Sequence, residues 1–216
     1  MAISERLTRP TSPSIPDTMI SGLPIDKGPV VILEYPIEKP SFIEWTPVCL
    51  EVAERIIQYI QKKSEAIEIH HVGSTSITDC GGKGSIDLAV VYTDGQLEQT
   101  REIIDRLGFQ KQKTRDPFPE IRPMRTGAID HAGQLYKIHI HILSKESDEF
   151  AEMIRFRDWL RTNDSSRVQY IGLKRRILEA GVSDSVEYSE LKGVFFNERV
   201  LVGGGQRCLR DFRITY

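Results

Sequence analysis

The chain has 216 residues, 39% hydrophobic and 28% charged, which fits one soluble globular domain and excludes fibrous, membrane-spanning and wholly disordered classes. A formal charge of −2 excludes bulk electrostatic attraction to DNA or an anionic membrane, so a nucleic-acid partner would have to be met by a local patch. Cys49, Cys80 and Cys208 are odd in number and lack paired spacing, which argues against a disulfide framework or an all-thiolate zinc site. With no apolar run of signal-peptide or membrane length, the expected location is the cytoplasm.

Residues 1–27 are rich in Ser, Thr and Pro, including Pro10, Pro13, Pro16 and Pro24, and read as a flexible tail. Val30 to Tyr35 predicts a short strand, and apolar Val48, Val52, Ile56, Ile57 and Ile60 predict a helix within Phe42 to Lys63. The β-rich Ile67 to Val72 runs into a small-residue loop, Gly73 to Lys83, which leads to a strand over Ser85 to Tyr92. Leu97, Ile103, Ile104 and Leu107 predict a second helix stopped by Gly108. Strands are expected over Phe109 to Lys113, Ile121 to Thr126 and Leu135 to Leu143, the last with clear alternation. Three helices follow, near Asp148 to Arg161, Ser166 to Ala180 and Asp184 to Val200, and residues 203–216 form a loose end. The reading is an α+β fold: one domain over 28–202, with a sheet part at 28–145 and a helical part at 146–202.

Charge is uneven. Residues 151–216 carry 12 Lys and Arg against 9 Asp and Glu, while residues 1–150 carry 17 against 22. Arg155, Arg157, Arg161, Arg167, Lys174, Arg175 and Arg176 make a basic surface on the helices plausible, with a solvated, salt-bridged face as the plain alternative.

Three features carry chemistry. Gly73-Ser74-Thr75-Ser76, with Gly81-Gly82-Lys83, gathers amides, hydroxyls and an ammonium in one loop, the kind that wraps phosphate, although it lacks the spacing of a Walker loop. Asp87 lies within an apolar strand, where a carboxylate is costly unless bound, so it is a candidate Mg²⁺ ligand. His139 and His141 share one face of a strand and could join Asp87 at a metal or a phosphate if the two strands are neighbours. Of His70 and His71, which point to opposite faces, at most one can join that site.

Taken together, an acidic residue at Glu68, His71-Val72-Gly73-Ser74-Thr75-Ser76, Lys83 and Ile86-Asp87 resemble the signature of the GrpB family, a domain also found fused behind bacterial dephospho-CoA kinases. The His139-Ile140-His141 strand, the helix Phe156-Arg157-Asp158-Trp159-Leu160-Arg161, and the pairs Tyr170 with Lys174 and Tyr188 with Lys192 extend the resemblance over Val30 to Val200. It implies a nucleotidyltransferase-like fold and a transferase acting on a phosphate-bearing substrate. The expected phosphate contacts are Gly73, Ser74, Thr75, Ser76, Lys83, Arg157, Arg161, Lys174 and Lys192, with Mg²⁺ on Asp87, His139 and His141. The sequence departs from that pattern at Ala89, where the second carboxylate of an Asp-x-Asp pair would fall, and at Thr78-Asp79, which replaces a Pro-Gly.

Fungal proteins similar to this family act as cyclodipeptide synthases on aminoacyl-tRNA, notably arginyl-tRNA. That acyl transfer has no obligatory metal: Ser74 or Ser76 would accept the acyl group, His71 or His141 would act as base, and Asp87 would hold a guanidinium. A non-catalytic nucleotide-binding module is the third reading, favoured by Ala89.

Overall fold

The computed structural model describes residues 28–65, 67–114 and 116–200. The tails expected at 1–27 and 203–216 lie outside the described residues. Helix α1 spans Val48–Gln61, α2 Leu97–Arg106, α3 Asp148–Thr162, α4 Asp164–Glu179 and α5 Ser185–Val200. The strands are β1 Glu68–Val72, β2 Ile86–Tyr92, β3 Gln110–Lys111, β4 Met124–His131 and β5 Gln134–Ser144. They form one sheet in the order β1-β2-β5-β4-β3, a mixed α+β architecture as expected. Among the described residues, no helix is long and apolar enough to cross a membrane.

Only the β2–β5 pair is parallel; the other neighbours are antiparallel. Strand alternation sorts the sheet into two unlike faces. Ile86, Leu88, Val90, Ile138, Ile140 and Ile142 face one way and build the main core with Val52, Ala53, Ile56 and Ile60 of α1 and Ile104 of α2. The odd positions Asp87, Ala89, His139 and His141 face the other way, where Ala89 packs with Val72, Leu143 and Met153 of α3. The polar site therefore lies on the side that also carries the C-terminal helices.

Local chemistry sets the boundaries. Ser147 Oγ accepts from the Phe150 amide and Asn163 Oδ1 from the Ser166 amide, capping α3 and α4. Asp184 Oδ1 does the same for the amides of Val186 and Glu187 at the start of α5. The β4–β5 hairpin turns through Ala132 and Gly133, both at positive φ, and Asp130 Oδ1 accepts from the Gly133 amide.

Several expected elements shift. The strand over Val30 to Tyr35 is reduced to one bridge, Leu33 to Ala128, so this segment lies along the sheet without joining it as a full strand. The first helix begins at Val48, after Pro47, and not at Phe42. The strand expected over Ile121 to Thr126 runs Met124–His131, because its register is set by the tight hairpin turn that follows. The one expected over Phe109 to Lys113 keeps two residues.

Candidate active site

The loop after β1 is bound to β2 by its own side chains. Gly73 enters it at φ +69°, and Ser74–Ser76 form a single 3₁₀ turn. Thr75 Oγ1 donates to the Ser85 carbonyl at 3.1 Å, and Ser76 Oγ donates to the Gly73 carbonyl at 2.7 Å. Since the Thr75 hydrogen is spent on Ser85, it is His71 Nε2–H that donates to Thr75 Oγ1, at 3.0 Å. The expectation that His71 is a base beside Asp87 is corrected here. The register sets His71 beside Leu88, on the opposite face of the sheet, where it braces the loop. Burial pushes its pKa down to about 3, so it is neutral at pH 7.

Arg157 and Arg161 also serve the loop. Arg157 Nη1 donates to the His71 carbonyl at 3.1 Å, and Arg161 donates to the Ser76 carbonyl through Nε and Nη2, at 3.2 and 2.8 Å. Their guanidiniums, expected on substrate phosphate, are engaged in clamping α3 to the loop backbone.

On the other face, the parallel register sets Asp87 directly beside His139, and Ala89 beside His141. Asp87 Oδ1 accepts from His139 Nδ1 at 2.9 Å, and His139 Nε2 lies 3.0 Å from the Tyr35 hydroxyl. Burial alone would raise the Asp87 carboxyl, but the hydrogen-bonded His139 and nearby His141 hold it far below the usual carboxylate range. Burial in turn lowers His139 despite the Asp87 charge, so the pair is a carboxylate and a neutral imidazole. His141 Nε2 is 3.9 Å from Asp87 Oδ1, beyond hydrogen-bond reach, and is buried without a partner.

Three lysines surround this single carboxylate. Lys174 of α4 is 1% exposed and donates to Ser74 Oγ at 2.8 Å and Cys80 Sγ at 3.3 Å, with its ammonium 4.4 Å from the Tyr170 ring centre. Lys83 and Lys192 lie over the Tyr188 ring, 4.7 and 5.1 Å from its centre. Burial lowers the pKa of all three, Lys192 most strongly, with like charge from Lys83 and Lys174 adding to its desolvation, while Asp87 partly offsets the fall in each. Gly82 leaves room for this crowding, since a β-carbon there would sit 3.2 Å from Lys174 Nζ.

A cavity of about 270 Å³ opens onto this cluster, with Lys83, Ser85 and His139 in its wall beside Tyr35 and Lys137. Mg²⁺ takes six oxygen ligands in near-octahedral geometry. Among the described residues Asp87 is the carboxylate hydrogen-bonded to these histidines, and His139 has both nitrogens engaged; of the carboxylates in the cavity wall itself, Glu34 pairs with Lys113, Glu38 with Lys137, and Asp184 caps α5. Lys83, Lys174 and Lys192 also lie within the influence of Asp87, and among the described residues no group of three or more His, Cys, Asp and Glu forms a metal-holding cluster. The donor set does not fit Mg²⁺, and the expected ligand trio Asp87, His139 and His141 is corrected to an internal hydrogen bond flanked by one unspent nitrogen.

Of the residues singled out from sequence, Ser74, Lys83, Asp87, His139, His141, Lys174 and Lys192 come together; His71, from the opposite face, and Arg157 and Arg161, from α3, brace the loop. Tyr35 was missed as a site residue, because its segment reads as an ordinary strand and nothing local marks its hydroxyl.

The chain belongs to the GrpB family: the family model described as GrpB protein matches residues 39–200, three quarters of its length. UPF0157 protein BH1888 of Halalkalibacterium halodurans is 27% identical over 92% of this chain and 94% of its own. UPF0157 protein SCO7215 of Streptomyces coelicolor is 26% identical over 68% of this chain and 73% of its own. The crystal structure of conserved protein GrpB from Enterococcus faecalis superimposes with a TM-score of 0.54 at 19% identity, covering 74% of this chain and 99% of that one, which establishes a shared fold.

Proposed function

We propose that this protein is a transferase that acts on a phosphate-bearing substrate, held by Lys83, Lys174 and Lys192 above the Ser74 loop. The observation that carries this reading is the excess of lysines over acid: buried Lys174 and Lys192 and half-buried Lys83 gather around the single carboxylate of Asp87. A buried ammonium costs several kcal/mol unless an anion answers it. Asp87 answers one, and a di- or triphosphate supplies the charge for the remaining two. Nucleotidyl transfer is the reaction we infer for it, because the GrpB resemblance implies a nucleotidyltransferase-like fold. The lysines would neutralise the substrate and the departing pyrophosphate, as cationic clamps do in phosphoryl transfer.

Calorimetric titration with ATP, GTP, CTP and UTP tests the reading, each with Mg²⁺ and with chelator. Micromolar binding that survives chelation and weakens steeply with salt is expected. No binding of any nucleotide under either condition overturns it.

One contact favours a second reading, acyl transfer from aminoacyl-tRNA. Lys174 Nζ lies 2.8 Å from Ser74 Oγ, and its proton affinity is reduced by burial, which is how a serine is activated for nucleophilic attack. A tRNA-dependent cyclic dipeptide in the product mass spectrum, lost in Ser74→Ala, would favour that chemistry over nucleotidyl transfer.

A further inference from the structure

A second chain of contacts crosses the same cavity and is not explained by anion binding. Asp87 is ionised and offers only acceptor oxygens, so His139 carries its proton on Nδ1 and donates it to Asp87 Oδ1 at 2.9 Å. That leaves Nε2 bare, facing the Tyr35 hydroxyl at 3.0 Å, which donates to it. Carboxylate, imidazole and hydroxyl joined by successive hydrogen bonds, with the Tyr35 ring stacked on His139, supply the groups of general-base catalysis: the carboxylate fixes the tautomer and steadies the imidazolium that forms. Tyr35, Ser85 and His139 line the cavity together with Lys83, so the hydroxyl end of this chain of contacts opens where the lysine cluster begins.

Tyr35 itself is ill suited to be the reacting group. Burial pushes its phenol up to about 12, so the hydroxyl keeps its proton at neutral pH. It sits on a segment whose strand pairing with the sheet, among the described residues, is the single bridge at Leu33, with Val30 and Ile32 packed on the core before it and Ile37, which is 79% exposed, after it. The exposed stretch after Tyr35 borders the cavity, whose volume of about 270 Å³ lies near the lower end of small-ligand pockets, about 300 Å³.

Resting on the phosphate-binding reading above, we propose that His139 Nε2 is the general base for an acceptor hydroxyl, that Asp87 positions it, and that the Tyr35 hydroxyl occupies the acceptor's place until displaced. With a nucleoside triphosphate as donor, the acceptor O–H bond breaks and its proton passes to His139 Nε2. The acceptor oxygen bonds to the α-phosphorus, and the bond from that phosphorus to the bridging oxygen breaks, its electron pair leaving with pyrophosphate. The imidazolium then returns its proton to pyrophosphate or to water. With water as acceptor, the products are nucleoside monophosphate and pyrophosphate.

The test uses the full chain with ATP as probe. Binding is measured by calorimetry, pyrophosphate release in water by a coupled assay, and the His139 tautomer by ¹⁵N NMR of the ring. Tyr35→Phe removes the resident hydroxyl and raises release threefold or more at unchanged Kd. His139→Gln lowers it at least tenfold, also at unchanged Kd. Asp87→Asn lowers release, alters its pH profile and populates the tautomer protonated at Nε2. ATP binding with release by His139→Gln equal to wild type overturns the general base and leaves the phosphate reading standing, as does binding with no release by either wild type or Tyr35→Phe. Loss of ATP binding in the wild type overturns the phosphate reading and the donor with it. A wild-type His139 protonated at Nε2 overturns the proposal whatever the activity, and this readout does not depend on any variant folding.

Discussion

Gly73 and Asp87 are fitted to each other: a β-carbon on Gly73 would lie 3.0 Å from both Cβ and Cγ of Asp87 and closer still to Oδ2. The glycine also holds φ +69° and ψ −173°, a region essentially closed to other residues. Gly73→Ala is therefore expected to cost about 3 kcal/mol, from backbone strain and displacement of a buried carboxylate. Chemical denaturation measures this, and a midpoint equal to wild type contradicts the fit.

Acid should unfold the protein earlier than its carboxylates alone would require. His71 and His139 are buried and neutral in the folded chain, His71 with its pKa down to about 3, whereas in the unfolded chain each binds a proton near pH 6.5. Their depressed folded values mean that stability is full above about pH 6.5 and falls as pH drops, by up to about 1.4 kcal/mol per pH unit for each imidazole. Asp87, also depressed, adds to the fall only below about pH 4, where the unfolded carboxyl takes up its proton. Denaturation of wild type and His71→Asn at pH 7, 6 and 5 checks the slope, which should lose one proton's worth in the variant.

Lysine removal should separate binding from stability. Lys83→Met and Lys192→Met each take a desolvated ammonium out of a like-charged cluster, so the melting midpoint is expected to hold or rise, while ATP affinity falls tenfold or more. Lys174→Met should lose as much affinity and some stability as well, since it strips Ser74 Oγ of its donor. Unchanged affinity in all three would remove the lysines from the binding site.

Ala89→Asp restores the carboxylate pair expected of a two-carboxylate site. Ala89 is fully buried, packed with Val72, Leu143 and Met153, and in register with His141. Without metal, a second buried carboxylate should cost about 3 kcal/mol or more. Millimolar Mg²⁺ or Mn²⁺ should recover part of that loss in the variant and leave wild type unmoved. A wild type stabilised by Mg²⁺ as strongly as the variant would mean that the missing carboxylate is supplied from elsewhere.

How much of this was legible in the sequence differs by element. The two-residue period put His139 and His141 on one face, and the apolar run around Asp87 marked it as an anomaly, because both are properties of a single strand. That the two strands are parallel neighbours depends on the crossover through α2 and the β4–β5 hairpin, which no local pattern encodes. Lysines were recognisable as cations, yet their seating over Tyr188 and Tyr170 requires α4 and α5 to fold back on the Gly81-Gly82 loop. Arg157 and Arg161 were misread for a related reason: a guanidinium serves a backbone carbonyl as well as a phosphate, and the choice is made by helix docking.

The hydrogen bond between Asp87 and His139 joins residues 52 apart in sequence, across the sheet's one parallel pair. A nascent chain can fold the β4–β5 hairpin and α1 from neighbouring residues, but it gains the carboxylate–imidazole pair only when that long loop closes, the slow and entropically costly step of such a topology. The chemistry is thus withheld from incomplete chains, and His139's tautomer doubles as a reporter of finished folding.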